Sequence, residues 1–133
     1  MSKTFSNPET VHRPNNDAYS HVVVVEGGKL LFVAGQVAFD EDSNIVGDDV
    51  YTQACQALRN LRAVLEAHGA SPADIVKLNT YVVGDAHAHA AELGRARAEV
   101  LQLEVPPAST LVGIASLAVE GLLVEIEAIA VVD

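Results

Sequence analysis

The chain has no tryptophan, three tyrosines, three phenylalanines and one cysteine among its 133 residues. So few aromatic rings leave no platform on which successive nucleic-acid bases could stack. The lone Cys55 rules out an internal disulfide, and this thiol count fits a reducing compartment. Bases are scarce as well: eight Lys and Arg against eighteen Asp and Glu give a formal charge of −10. Phosphate binding draws its affinity from clustered cations, and no such cluster occurs, so no nucleic-acid partner is expected. No apolar run approaches the ~20 residues that span a bilayer. Val22 to Val25 and Ile126 to Val132 are strand-sized, so no membrane partner is expected either. The start, MSKTFSNPET, is polar and lacks the apolar stretch of a secretory signal, which points to the cytoplasm.

A chain of this length makes one domain, residues 1–133, and buries enough surface to fold without staples. Residues 1–18, with Asn7, Pro8, Pro14, Asn15 and Asn16, read as an irregular arm. The Val-rich stretch Tyr19 to Val25 predicts a strand buried on both faces. Glu26-Gly27-Gly28-Lys29 predicts a hairpin turn to a second strand, Leu30 to Val37, with Gly35 at a bulge or a close approach. Phe39 to Gly47 is a polar loop with the makings of a short hairpin.

Asp48 or Asp49 can cap a helix to about His68. Its inward stripe is Val50, Ala54, Ala57, Leu61, Val64, Leu65 and His68, and Gly69 ends it. Ser71-Pro72-Ala73-Asp74 has the capping-box pattern and starts a single turn. Ile75 to Val83 is a strand with Val76, Leu78, Thr80 and Val82 on one face. Asp85 caps a second helix, Ala86 to about Gln102, with Leu93, Ala96, Val100 and Leu103 inward. Pro106-Pro107 breaks it, and Ser109 to Ile114 and Leu122 to Val132 are the last strands. The order β-β-α-β-α-β-β gives an α+β fold: a mixed sheet with two helices on one face. Along the final strand both faces are largely apolar. Two helices can cover only one of them, so the other predicts self-association, with cyclic closure the simplest form.

Several segments then carry a resemblance. They are Tyr19-Ser20, Val33-Ala34-Gly35-Gln36-Val37, Gln56-Ala57-Leu58-Arg59-Asn60-Leu61, Asp74-Ile75-Val76-Lys77, Pro107-Ala108 and Val124-Glu125-Ile126-Glu127-Ala128-Ile129-Ala130. In this order they resemble the Rid family, also called YjgF-type or L-PSP endoribonuclease-like. The resemblance implies a chorismate-mutase-like fold and a homotrimer whose sheets form an inner barrel. It also implies small-molecule clefts between subunits. In the deaminase branch, enamines or imines derived from amino acids are hydrolysed to keto acids and ammonia, with no metal and no cofactor.

Carried over residue by residue, the resemblance assigns Tyr19 as the cleft tyrosine that orients substrate. Glu125 becomes the catalytic acid–base or water-positioning group. Ala34 stands where the deaminases commonly have serine, and Gly35 and Ser109 offer backbone donors. Ser109 and Thr110 replace the Arg-Ser or Arg-Thr of the deaminase Pro-Ala-Arg motif. A neutral hydroxyl bond contributes ~1 kcal/mol, a bond to a charged group roughly 1.5–3 kcal/mol, and a bidentate arginine makes two. The deficit is on the order of a hundredfold in carboxylate affinity. This implies altered specificity, or a metabolite-binding trimer without turnover, and leaves a ribonuclease role the weakest of the three. The helix position often held by asparagine falls at Leu93. Arg13, Arg95 and Arg97 are the cations that could replace the lost one, but read as solvated surface charge.

Other candidates have plainer readings. Glu125 and Glu127 share one strand face, and Glu127 reads as structural. His87 and His89 diverge by about 200° on a helix and cannot readily share a metal. Cys55 lies beside the apolar stripe of its helix and reads as a buried thiol.

Overall fold

The computed structural model describes residues 1–133 and resolves eight principal elements. These are β1 (Ser2–Ser6), β2 (Val22–Glu26), β3 (Lys29–Gln36), α1 (Val50–Glu66), β4 (Ile75–Val83), α2 (Ala86–Leu101), β5 (Ala108–Ile114) and β6 (Val124–Val132). Single 3₁₀ turns occupy Asn15–Asp17 and Pro72–Asp74. The main sheet has the order β3-β6-β4-β5. β6 runs antiparallel to both its neighbours, whereas β4 and β5 are parallel and need a crossover, which α2 supplies. No helix is long and apolar enough to cross a membrane.

The arm corrects the expectation of irregular chain. Ser2–Ser6 is a strand, and it pairs antiparallel with β2 in a separate two-stranded ribbon. The predicted hairpin between β2 and β3 is therefore not formed. Gly27 and Gly28, at φ 77° and 87°, turn the chain as expected. The strands on either side then part, β2 to β1 and β3 to β6. A Cβ on Gly28 would lie 2.7 Å from the Val132 carbonyl oxygen, so the turn is packed too tightly on β6 for any other residue. Nor is β2 buried on both faces: Val24 is 49% exposed. The ribbon is fastened at Lys3, whose Nζ donates to the Ala73 carbonyl at 2.9 Å and pairs with Asp74 at 3.2 Å.

α1 starts where Asp49 caps it, its carboxylate accepting from the Thr52 N–H at 2.8 Å. Its buried stripe includes Val50, Ala54, Ala57, Leu61 and Leu65, and Cys55 is buried beside it. His68 departs from the predicted stripe: it lies past the helix end, exposed, its ring on the Val64 carbonyl. On the sheet, Leu78, Val82, Val124, Ile126, Ala128 and Ala130 meet the helices and complete the core. A register shift at Ile75/Lys77 removes Val76 from that row.

Two amides on α1 set the ends of the strands. Gln53 is fully buried, donating to the Gly47 and Gly121 carbonyls at 3.1 and 2.9 Å. It also accepts from the Leu123 N–H at 2.8 Å, just ahead of β6. Asn60 donates to the Val37 and Phe39 carbonyls, both at 2.9 Å, just after β3. One helix thus fixes the chain entering β6 and the chain leaving β3. The sheet face away from the helices is open, with Phe32 74% and Leu30 57% exposed.

Leu61→Ala, at a site with no exposed surface, should cost about 2–5 kcal/mol in urea unfolding. Gln53→Ala removes all three hydrogen bonds of a fully buried side chain and should cost on the order of 3 kcal/mol by the same measurement. Backbone hydrogen bonds, from Thr52 to Asp49 and from Asn44 to Asp40, hold both carboxyls below the ordinary 3.8. The stability they add is present above that value and is lost as pH falls through the lower folded values. Asp49→Asn should flatten the acid limb of a melting-temperature profile.

Candidate functional site

The register on β6 decides where Glu125 sits. Val33 pairs with Ala128 and Gln36 with Ile126, so β3 carries one more residue than β6 across this stretch. The bulge holds Ala34 and Gly35. Glu125 uses the space it makes: a Cβ on Gly35 would lie 2.6 Å from the Glu125 carboxyl carbon. Gly35 is there for close approach, since its backbone conformation does not demand glycine.

Glu125 and Glu127 project to the open sheet face but have different surroundings. Glu127 accepts from the Tyr81 hydroxyl and, at 3.3 Å, from the Asn79 side-chain amide. The bond to Glu127, with burial and the nearby carboxylates, raises the Tyr81 pKa above its ordinary 10.0. Glu125 is half-buried and accepts no hydrogen bond. The Glu127 carboxylate is thus engaged through Oε1 by two donors, and the Glu125 carboxylate by none. The structural reading of Glu127 fits what it touches. Beside these groups the open face has a cavity of about 390 Å³, lined by Phe32, Ala34, Lys77, Asn79, Glu127 and Ile129 among others.

The remaining predicted residues lie elsewhere. Ser109 pairs in register with Leu78, a core residue, and so points to the helix side of edge strand β5. Its hydroxyl donates to the Pro107 carbonyl at 3.3 Å. Thr110 points the opposite way and accepts from Lys77 Nζ at 3.0 Å. Tyr19 belongs with the β5 end: Ser20 beside it donates its hydroxyl to the Pro106 carbonyl at 2.7 Å and its N–H to the Pro107 carbonyl at 3.1 Å. The Tyr19 hydroxyl meets His12 Nε2 at 2.8 Å, and the ring packs edge-on to His21 at 5.4 Å between centroids.

Two groups result, Ala34, Gly35 and Glu125 on β3 and β6, and Tyr19 and Ser109 around the start of β5. From Glu125 the register leads through Tyr81 to Val112, three residues along β5 from Ser109. Two strand spacings and three residues of rise separate these backbones by on the order of 14 Å. One chain does not bring the two groups together.

The alternative cations also separate. Arg13 is largely exposed and paired with Asp17 at 3.4 Å. Arg95 lies over the Tyr51 ring, 4.1 Å from its centroid. Arg97 differs from the surface charge expected of it: it is half-buried and donates to the Ala18 carbonyl at 2.7 Å, and burial pulls its pKa below the ordinary 12.5. Sequence reasoning missed this contact because its partner lies 79 residues away. Leu93, at the asparagine position of the resemblance, is a core residue. His89 pairs with Glu92, and no three metal-ligating side chains converge.

A family model described as Endoribonuclease L-PSP matches residues 10–132. The 2-iminobutanoate/2-iminopropanoate deaminase of Salmonella typhimurium is 37% identical over 62 residues, 47% of this chain and 48% of that protein. The chain spans about half the length of the curated relatives it matches in this way. A protein of the same name from Dermatophagoides farinae is 34% identical over 116 residues, 86% of each chain. Among solved structures, YyfB of Yersinia pestis, described as a Rid family protein of unknown function, superposes with a TM-score of 0.92 at 38% identity. It covers 99% of this chain and 100% of its own. With nearly every residue matched and the fold shared from end to end, the chain belongs to the L-PSP endoribonuclease family, the Rid or YjgF group.

Proposed function

We propose that the protein is a cytoplasmic homotrimer that hydrolyses small imines, enamines or related labile metabolites in clefts shared between subunits. The observation that carries this reading is the unpartnered Glu125 carboxylate laid against Gly35 on a bulged strand. A carboxylate buried part-way and left without donors is suited to proton transfer. Water adds to the C=N carbon as Glu125 takes its proton. That proton passes to nitrogen, giving a carbinolamine. Collapse of the carbinolamine to C=O expels ammonia, with protons returned through the same carboxylate. The relatives named as 2-iminobutanoate/2-iminopropanoate deaminases support this reaction class.

Two features support the assembly of copies that this reading requires. The open sheet face exposes Phe32 and Leu30, whose burial against another copy would be favourable. The two half-sites, too far apart in one chain, can meet only if a second copy brings its β5 end to the β3–β6 end of the first. The partners are thus a second and third copy and a small molecule, and the reaction needs no cofactor. Ser109 favours a second reading, a trimer that binds a metabolite without turning it over. A ribonuclease role has little support from a chain of charge −10.

Ammonia release from 2-iminobutanoate and related imines tests the reaction. Glu125→Gln should lower kcat by roughly 10²–10⁴-fold with little change in stability; equal rates in the two proteins would remove the acid–base role. Gly35→Ala should act similarly by driving the carboxylate from its place. In light scattering the protein should have three times the 14.0 kDa chain mass, and Phe32→Asp should lower it. A monomer at micromolar concentration would end the shared-cleft proposal.

A further inference from the structure

The chain on either side of Tyr19 is tied down. The Ala18 carbonyl before it accepts from Arg97 at 2.7 Å, and Ser20 after it is bonded to the Pro106 and Pro107 carbonyls. The Tyr19 hydroxyl has one partner, His12 Nε2 at 2.8 Å. His12 stands on the exposed part of the arm and is held there by His21. The His21 backbone N–H donates to the Asn7 side-chain oxygen at 2.8 Å. Its ring Nε2 meets the His12 carbonyl at 2.6 Å, and the two imidazoles pack edge-on, 4.8 Å between centroids. One histidine thus fastens the arm at two points and sets the other histidine against the tyrosine.

Simple donor and acceptor chemistry places the protons. A carbonyl oxygen can only accept, so the His21 ring donates to His12 and carries its hydrogen on Nε2. Between His12 and Tyr19 either group could donate. Of the two, the phenol hydroxyl is the stronger donor and a bare imidazole nitrogen the stronger acceptor. The favoured bond runs from the Tyr19 O–H to His12 Nε2, with the His12 hydrogen on Nδ1. A tyrosine hydroxyl has a single hydrogen. Once it is given to His12, only oxygen lone pairs are left for a ligand.

We propose that His12 is a positioning residue that makes the Tyr19 hydroxyl an acceptor, so that this end of the cleft selects a ligand presenting an N–H or O–H donor. The inference rests on the reading of Tyr19 as a residue of a small-molecule cleft and adds the polarity of the group it recognises. An imine or enamine brings an N–H to such an acceptor. The carbonyl oxygen that replaces the nitrogen after hydrolysis brings none. The pair therefore favours substrate over product at the atom where they differ.

Two measurements on the intact protein test this. Proton–nitrogen correlation spectra of the histidine rings should show His12 protonated at Nδ1 and bare at Nε2, and His21 the reverse. A hydrogen on Nε2 of a neutral His12 ring would overturn the proposal. The second measurement is binding of 2-hydroxybutanoate beside 2-oxobutanoate, followed through the Tyr19 ring resonances. The probes share charge and carbon skeleton, but only the first has a donor on C2. The wild type should favour the hydroxy acid about fivefold, the effect of one hydrogen bond. His12→Glu, which can only accept, should keep that ratio, and His12→Lys, which can only donate, should abolish or invert it. Taking the ratio cancels the added charge, which acts on both probes alike. A wild type that binds both probes equally, or one ratio in all three proteins, would overturn the proposal and leave the cleft reading standing. An equal fall for both probes in His12→Lys, with a lower melting temperature, would make His12 a clasp for the arm and also overturn it. Binding of neither probe would overturn the cleft reading and this one together. Imine hydrolysis is decided separately: a ratio that depends on His12, in a protein without imine turnover, would leave the polarity of Tyr19 standing and the hydrolase reading fallen.

Discussion

The backbone ladder along β6 is the constraint from which the other placements follow. β6 is hydrogen-bonded on both sides, to β3 and to β4, and its alternate residues Val124, Ile126, Ala128 and Ala130 form the floor on which the helices rest. Its register cannot slip by one residue without turning that row outward and the glutamates inward. The position of Glu125 is therefore decided by core packing. The bulge at Ala34 and Gly35 is the one irregularity in the β3–β6 ladder, and it coincides with the carboxylate.

The two glutamates show how one strand face can hold different chemistries two residues apart. Glu127 lies opposite Asn79 and within reach of Tyr81, and both donate to it. Glu125 is opposite Tyr81 in register, but the Tyr81 hydroxyl is committed to Glu127. The difference comes from β4 as much as from β6. α1 reinforces the arrangement from the other side, since Gln53 and Asn60 fix the start of β6 and the end of β3.

Much of this was legible in the sequence because it is local. Asp49, Gly69, Asp85 and the Ser71–Asp74 box mark helix ends through contacts within a few residues, and the observed elements start and stop there. Gly35 was legible as a bulge or close approach and is both. What escaped was settled by distant partners. Ser2–Ser6 is short and polar, and it becomes a strand because β2 offers it an edge. Gly27-Gly28 signals a reversal, but whether the flanking strands pair is decided by β1 and β6. Gln53 looks like any helical glutamine until Gly121 and Leu123 are brought to it. The motif segments marked candidate residues along the chain and could not show that they fall into two groups on one subunit.

The three tyrosines are spread over these regions, and each hydroxyl has a different partner: Tyr19 with His12, Tyr51 with Glu99 and Tyr81 with Glu127. No tryptophan is present to mask them. The chain therefore carries three native optical reporters, one on the arm, one between the helices and one on the open sheet. Replacing any two of them with phenylalanine leaves the third as a single reporter, so that arm docking, helix packing and events on the sheet are followed in turn without attaching a dye.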